Sequence, residues 1–374
     1  MVNLVLVGGG HSNAIVLKLW SKKKVSGVKL TLISNAQNTP YSGMLPGYIA
    51  GCYNYEESHI NLVKLAEIAG IELVIDEVIN IDADKKIVSC KSGQKFSFDI
   101  ISLDIGSIPK NSQIEGANLY TIPIKPVPLF LTKWAEIVNL AQSNPDNKIS
   151  ISIIGGGAGG VELALNIHQK LNSILSLQKI NINLLHKGDR IVENHPISVS
   201  NKLTKNLDNR NINLYLNTVV TSVENQDIIL DSNIKIFSDY IFLVTQPSAP
   251  LWLQNTSIET DKDGFILVNN SLQSVNYPYI FASGDIANIV NYSCPKAGVF
   301  AVKQGIPLYK NLCNFLTNQP LKLYYPQQHY LNIIGTGNKN AVASWGKISI
   351  ESPIIWYWKK YLDYNFMKQF TYFP

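Results

Sequence analysis

The stretch SIIGGGAGGVELA, from Ser152 to Ala164, decides the fold of this 374-residue chain, and VLVGGGHSN, from Val5 to Asn13, repeats its pattern. Each glycine run follows a short apolar segment suited to a buried parallel strand and leads into a segment with helical periodicity. Glycines in this context permit a tight turn and let a pyrophosphate approach the backbone at the positive end of the helix. The pair predicts an α/β protein with two Rossmann-like domains that bind two dinucleotides.

The two motifs differ in completeness. The second fills all three glycine positions with Gly155, Gly157 and Gly160, whereas the first has Gly8 and Gly10 but Asn13 in the third position. A glycine turn without a ligand remains the alternative for each motif, and more so for the first.

A third motif, YIFASGDI from Tyr279 to Ile286, places Asp285 directly after an apolar strand and a small-residue turn. An aspartate at the carboxyl end of a strand can accept hydrogen bonds from ligand hydroxyls, such as those of the ribityl chain of a flavin. The alternative is that Gly284 and Asp285 only cap a helix.

The order of these three motifs resembles that of the two-dinucleotide flavoproteins, which include the disulfide reductases and the type II NADH:quinone oxidoreductases. The resemblance spans nearly the whole chain. Four segments are similar to a bacterial branch found beside, or fused to, selenide, water dikinase: Thr39 to Gly51, Pro295 to Gly305, Leu331 to Gly337 and the terminal WYWKKYLDYNFM. The resemblance implies FAD at the first glycine motif, NADH or NADPH at the second, and a quinone or other small electron acceptor. It also implies selenide, water dikinase as a partner.

The resemblance also implies roles for individual residues. Glu162 would face the nicotinamide and the flavin, and Lys296 would stabilise the reduced flavin, so these two are the expected catalytic residues. The alternatives are a first-turn glutamate favoured by the helix dipole and a solvated lysine. The motifs and the resemblance together indicate these cofactor-binding residues: Gly8, Gly10, His11, Ser12, Ser34, Tyr41, Ser42, Met44, Pro46, Gly106, Gly155, Gly157, Gly160, His186, Lys187, Gly284, Asp285, Ala297 and Gly298.

Neither second strand ends in the acidic residue that normally binds the adenosine ribose. The first unit has Ser34 at this point, whose hydroxyl can still bind the ribose, and the second has His186, followed by Lys187 and Arg190. Cations without a carboxylate lessen repulsion toward a 2'-phosphate, so we expect NADPH to be accepted at least as well as NADH. The alternative is that Lys187 and Arg190 belong to a solvated turn.

The cysteines exclude disulfide reduction of the usual kind, because the segment from Tyr41 to Gly47 has none where the disulfide reductases carry their CysX4Cys pair. Cys52, Cys90, Cys294 and Cys313 have neither metal nor redox spacing and are expected to be reduced. A pair of the sulfide:quinone reductase type, using Cys52 and Cys294, remains open. The six histidines show no metal-binding spacing, and we expect no metal.

Composition limits the partners and the location. The net charge of +5 forms no long basic run, so nucleic acid is not expected as a partner. There is no signal peptide pattern and no apolar run long enough to cross a bilayer. We expect a cytoplasmic protein, free or peripheral on the cytoplasmic face of a membrane.

The motif order predicts an FAD-binding domain at 1–115 and 254–330, interrupted by an NAD(P)H-binding domain at 116–253. A C-terminal segment at 331–374 carries an apolar residue at every fourth position, with lysines and aromatic rings between them: Ile354, Trp358, Leu362, Phe366 and Phe370. This pattern predicts an amphipathic helix on a membrane surface, where a lipid quinone is reached. The alternatives are packing on its own domain or on a homodimer mate.

Two other functions remain open besides the NAD(P)H dehydrogenase. One is the reduction of a selenium or sulfur species for selenophosphate synthesis. The other is a non-catalytic sensor of redox state that holds a flavin and a nicotinamide nucleotide.

Overall fold

The computed structural model describes residues 1–110, 114–292 and 294–371. The first part of the chain contains β1 (Val2–Val7), α1 (His11–Lys22), β2 (Val28–Ser34), β3 (Asn38–Pro40), α2 (Leu45–Ile49), α3 (Tyr55–Ser58), β4 (His59–Asn61), α4 (Leu62–Ala69), β5 (Glu72–Ile75), β6 (Val78–Asp82), β7 (Ile87–Cys90), β8 (Lys95–Ser97) and β9 (Ile100–Leu103). The middle part contains β10 (Ile108–Pro109), α5 (Ala117–Tyr120), β11 (Ile122–Pro123), α6 (Val127–Ser143), β12 (Ile149–Ile154), α7 (Ala158–Asn172), β13 (Ile180–Leu185), α8 (Ile197–Asp208), β14 (Asn213–Tyr215), β15 (Val220–Glu224), β16 (Asp227–Leu230), β17 (Lys235–Phe237), β18 (Tyr240–Leu243) and β19 (Pro247–Ser248). The last part contains β20 (Ile266–Val268), β21 (Ile280–Ala282), β22 (Ala287–Ile289), α9 (Gly298–Leu316), β23 (Asn332–Gly335), β24 (Ala341–Trp345), β25 (Ile348–Ser352) and α10 (Pro353–Thr371).

The first glycine motif lies in a five-stranded parallel sheet with the order β21-β9-β1-β2-β5. Its central strand β1 is apolar, and Leu4 to Val7 are buried in one core with residues of α1 and α9, which pack against each other. The last strand, β21, joins this sheet from far along the chain. The carboxyl ends of β1, β9 and β21 therefore meet at one edge of the sheet.

The second glycine motif lies in another five-stranded parallel sheet, with the order β11-β18-β12-β13-β14. All of its strands come from the part of the chain between β9 and β21. The two sheets, each with a glycine loop after its central strand, confirm the predicted α/β class with two Rossmann-like units.

The two-stranded ladder of β10 and β19 lies where the chain passes between these units. Ala249 and Leu253, which follow β19, pack in the core of the first sheet. We therefore propose that the return to the first unit begins at about residue 249 rather than at 254.

The C-terminal segment forms an antiparallel sheet of β23, β24 and β25, against which α10 packs. The expected apolar stripe does not form one face. Ile354 is 76% exposed, whereas Phe366 is 9% exposed. Four residues turn an α-helix by about 400°, so residues spaced by four drift around the axis. The exposed apolar surface consists instead of Ile354, Tyr357, Trp358, Tyr361 and Leu362. No helix within the described ranges is both long and apolar enough to cross a membrane.

Candidate functional site

The first glycine loop turns from β1 into α1 and is held by the neighbouring strands. Gly8 has φ +89° and donates its N–H to Ile33 O at 2.8 Å. Asn13, in the third glycine position, is fully buried and donates its side-chain amide to the carbonyls of Val7 and Gly8. The asparagine thus secures the turn by hydrogen bonds, whereas the family pattern uses a glycine there for close packing.

Asp104, which sequence reasoning missed, closes the N-terminus of α1. Its carboxylate accepts the backbone N–H groups of Ser12 and Asn13 at 2.8 and 3.0 Å. Burial raises the pKa of this carboxyl to about 7, although the two N–H donors lower it. A Cβ at Gly10 would overlap this carboxyl group, so only glycine fits there. The N–H of His11 has no acceptor among the described residues and remains free for a ligand.

Asp285 reaches the same edge of the sheet from the turn after β21, as the sequence predicts. Its carboxylate accepts hydrogen bonds from Lys125 Nζ at 2.8 Å and from Ser107 Oγ at 3.1 Å. Burial opposes its ionisation, but Lys125 and Ser107 outweigh this effect and lower the pKa of Asp285. Gly284, with φ +68°, donates its N–H to Gln304. Lys125 was not predicted, since nothing in its local sequence links it to Asp285.

The segment after β3 covers the first glycine loop. Ser42 N–H donates to His11 Nε2 at 3.2 Å, and the ring of Tyr41 stacks on Phe366 of α10 with centroids 4.3 Å apart. Burial lowers the pKa of His11 to about 4. The imidazole is therefore neutral at physiological pH.

The other predicted flavin-side residues are spread around this edge. Ser34 is buried at the end of β2 and donates its hydroxyl to Ala36 O. Met44 is fully buried in the core, and Pro46 lies in α2, which packs against α7. Gly106, with φ +71°, lies in the turn after β9 beside open space.

Lys296 lies in the segment that precedes α9, and its ammonium group is close enough to Asp285 to interact with it electrostatically. Its Nζ donates to Ala287 O at 2.6 Å and lies 4.0 Å from the centroid of the Phe265 ring. Burial lowers the pKa of this ammonium group. Ala297 precedes α9, and Gly298 begins it, against Ser42. The catalytic role of Lys296 stays a prediction.

The second glycine loop is more open. Gly155 has φ +125°, and a Cβ at Gly160 would overlap the carbonyl of Gly155. Nothing lies within 4 Å of a Cβ built at Gly157. The N–H groups of Ala158, Gly159 and Gly160 find no acceptor in the described parts of the chain. They form a free helix N-terminus suited to a pyrophosphate.

Glu162, in the first turns of α7, belongs to a buried charged cluster. Its Oε1 accepts the N–H of Gly335 at 2.7 Å, and burial raises its pKa to about 7. Lys359 of α10 lowers that pKa, while donating to Asp363 Oδ2 at 2.6 Å and to the carbonyl of Gly43. The cluster joins α7, the segment over the first loop and α10. Sequence reasoning missed Lys359 and Asp363, although their spacing of four marks one face of α10.

His186 directly follows β13, at the position where a ribose-binding acid normally lies in this type of fold. Its Nδ1 accepts the N–H of Gly156 at 3.2 Å. Arg190 is turned away, because its guanidinium donates to the carbonyls of Glu193 and His195. Lys187 is exposed.

The hydrogen-bonding groups around the first loop fit a flavin dinucleotide. A free N–H at His11, the Asp285 carboxylate for ribityl hydroxyls and the Ser34 hydroxyl for the ribose lie along one sheet edge. The second loop fits a nicotinamide dinucleotide through its free N–H groups. Which residues touch either ligand stays a prediction.

The four cysteines are free. Cys52 packs near the C-terminal sheet, with its Sγ 3.9 Å from Gly337 O, whereas Cys294 packs against the core of the first sheet. Over residues 1–110, 114–292 and 294–371, no group of three or more His, Cys, Asp or Glu side chains could hold a metal ion.

Comparison with known proteins agrees with this architecture. The family model of pyridine nucleotide-disulphide oxidoreductases matches residues 2–309. The NADH dehydrogenase-like protein YutJ of Bacillus subtilis is 22% identical over 342 residues, which are 91% of each chain. The type II NADH:quinone oxidoreductase of Haemophilus influenzae is 25% identical over 190 residues, which are 48% of this chain and 43% of that protein. The solved structure of NDH2 from Plasmodium falciparum in complex with NADH superposes with a TM-score of 0.82 at 16% identity, covering 99% of this chain and 97% of that one.

Proposed function

This chain belongs to the pyridine nucleotide-disulphide oxidoreductase family, and on that premise we propose that it is an NAD(P)H dehydrogenase with a quinone or similar small acceptor. Its cofactors are FAD and a pyridine nucleotide. The first glycine loop and Asp285 would hold the flavin, which would supply hydride acceptance from the nicotinamide and electron transfer to the acceptor. The protein binds, orients and encloses the reacting rings.

One observation carries the proposal: each of two parallel sheets ends its central strand in a glycine loop that leaves helix N–H groups free. Two dinucleotides can therefore be held by one chain. The segment from Tyr41 to Gly47, which packs over the first loop, carries no cysteine. A dithiol at that place is thus absent, and electrons pass to an external acceptor instead.

The charged side chains fit this role. Asp285, held by Lys125 and Ser107, offers carboxylate oxygens to ribityl hydroxyls. Glu162, with a pKa of about 7, can hold or release a proton near neutral pH, next to the segment that covers the first loop. We propose that it exchanges the proton that accompanies reduction of the acceptor.

Anaerobic stopped-flow absorbance of the FAD-loaded protein tests the proposal. Reduction by NADH or NADPH should be fast, and mixing the reduced protein with a soluble quinone should restore the oxidised flavin spectrum quickly. Failure of nucleotide reduction would contradict the dehydrogenase. Reduction without reoxidation by quinone would contradict the acceptor and favour a selenium or sulfur species, or a sensor. The association with selenide, water dikinase stays a prediction from the sequence.

We also propose that α10 and the turn between β24 and β25 meet a membrane surface. Five apolar or aromatic residues of α10 are exposed, and the hairpin adds Trp345, Ile348 and Ile350, each more than half exposed. Lys347 lies within the same hairpin. Aromatic and apolar residues with lysines are the composition of interfacial segments.

Sedimentation with vesicles of mixed anionic and neutral lipid tests this surface. The full chain should pellet with the vesicles, and Trp345→Ser together with Tyr361→Ser should weaken this several-fold. Leu129→Ser, an exposed leucine of α6 outside the surface, is the control. Equal sedimentation of all three proteins would contradict the proposal.

A further inference from the structure

Glu193 brings a carboxylate to the place where the second nucleotide-binding unit lacks its usual acid. The residue after β13 is His186, and Glu193 lies seven positions further along. Glu193 Oε1 nevertheless comes within 3.4 Å of His186 Nε2. The carboxylate therefore lies at the carboxyl end of β13, the region that receives the adenosine ribose in this type of fold.

The fold of the intervening loop determines this placement. Val192, with φ +48°, donates its N–H to Gly156 O at 2.8 Å, which ties the loop to the glycine turn. Arg190 holds the loop closed by donating to the carbonyls of Glu193 and His195. The Glu193 carboxylate lies directly over Gly188, where a Cβ would overlap it in this conformation.

The hydrogen-bonding state of His186 agrees with this arrangement. Because the N–H of Gly156 donates to Nδ1, the neutral imidazole carries its proton on Nε2. Nε2 is buried and makes no hydrogen bond with the described residues. It faces the carboxylate of Glu193, which is an acceptor, but the two groups do not form a hydrogen bond.

The charges of the loop point to the same ligand. In the described chain, Glu193 has no lysine or arginine within ion-pair distance, and its side chain is 48% exposed. Arg190 is engaged by carbonyl oxygens. A 2'-phosphate brings nearly two negative charges at neutral pH and would meet an uncompensated carboxylate. Free ribose hydroxyls would instead donate to it.

We propose that Glu193 is the ribose-binding acid of the nicotinamide site and makes this chain select NADH over NADPH. The inference rests on the proposed function, because it assigns a nucleotide to the second glycine loop. The sequence alone predicts, from Lys187 and Arg190, that NADPH is accepted at least as well as NADH. The proposal reverses this prediction, because the guanidinium of Arg190 donates to carbonyl oxygens.

Calorimetric titration of the FAD-loaded full chain with ADP-ribose and with 2'-phospho-ADP-ribose tests the inference without any redox reaction. ADP-ribose should bind more tightly by about tenfold, which corresponds to about 1.4 kcal/mol. Glu193→Gln removes the charge but keeps the shape, and should bring the two affinities to within about threefold of each other. Asp189→Asn makes the same change of charge at a nearby exposed residue and should keep the wild-type ratio.

The outcomes separate the two proposals. Equal affinities in the wild type, or an unchanged ratio in Glu193→Gln, would overturn the role of Glu193 and leave the dehydrogenase standing. A third outcome is that Lys187→Gln lowers the affinity for 2'-phospho-ADP-ribose while Glu193→Gln changes neither affinity. That result would contradict the role of Glu193 and support the acceptance of NADPH expected from the sequence. Failure of the wild type to bind either ligand would contradict the second nucleotide site and with it the proposed function. FAD content and melting temperature report whether each variant is folded.

Discussion

Asp104→Asn tests whether the carboxyl group at the N-terminus of α1 is protonated near neutral pH. Burial raises its pKa from 3.8 to about 7, against the opposing effect of two N–H donors. The folded protein therefore keeps a proton that the unfolded chain releases. Because the folded-state pKa is the higher one, the stability from this group is full below about pH 4 and is lost as the pH rises through 7.

The size of the effect follows from the two pKa values. Each unit of pKa difference corresponds to about 1.4 kcal/mol, so the whole shift is worth roughly 4 kcal/mol. Between about pH 5 and pH 8, the wild type should lose roughly 3 kcal/mol of its free energy of unfolding relative to Asp104→Asn. Asparagine keeps an oxygen that can accept the N–H groups of Ser12 and Asn13, but it cannot titrate.

Urea unfolding of the FAD-loaded proteins at both pH values, followed by flavin fluorescence, measures this difference. Asp99→Asn is the matched control, because Asp99 also accepts a backbone N–H, from Asn3, but at an exposed position. Its stability should follow that of the wild type with pH. The reasoning would be refuted if wild type and Asp104→Asn lost stability in parallel between the two pH values.

Three other changes test separate parts of the site. Gly160→Ala places a Cβ against a carbonyl of its own loop and should lower the affinity for NADH at least about tenfold. In the control Gly159→Ala, the nearest atom to the new Cβ lies at 3.6 Å, so NADH should bind almost normally. Titration calorimetry compares the two variants. Glu162→Gln should remove a step near pH 7 from the pH profile of acceptor reduction, because the wild-type carboxyl ionises there, and an unchanged profile would contradict its proton role. Asp363→Asn removes the carboxylate that pairs with the buried ammonium of Lys359 and should lower the free energy of unfolding by about 3 kcal/mol. Replacing Asp363 by Leu and Lys359 by Met together should largely restore the lost stability. Urea unfolding of both variants measures these changes.

The local parts of the site could be predicted from the sequence. The glycine loops and Asp285 each follow an apolar strand directly, so a short window contains both the strand and the functional turn. Parallel pairing then brings the carboxyl ends of the strands to one edge. This is why the α/β class with two Rossmann-like units could be predicted, whereas the assignment of a nucleotide to each unit stays a prediction.

The contacts between distant segments could not be predicted. Asp104 caps α1 across 92 positions of sequence, and Lys125 reaches Asp285 across 160, because the strand order brings their elements together. The position of Glu193 depends on the backbone of Val192, whose N–H is bonded to Gly156 O across the loop. The prediction that the apolar residues of α10 form one face was wrong for a different reason, because a spacing of four residues only approximates the helical repeat of about 3.6.

The strand β21 has a consequence for biosynthesis. It forms the edge of the first sheet, beside β9, yet it leaves the ribosome only after the whole second sheet. The early sheet emerges with β9 as an unpaired edge, which is open to wrong partners until residue 282 has been made. If the second sheet folds during this interval, it replaces a long flexible loop by a compact body and lowers the entropy cost of bringing Leu103 and Ile280 together. A nascent chain truncated before β21 should therefore be protease-resistant in its second sheet and sensitive in its first.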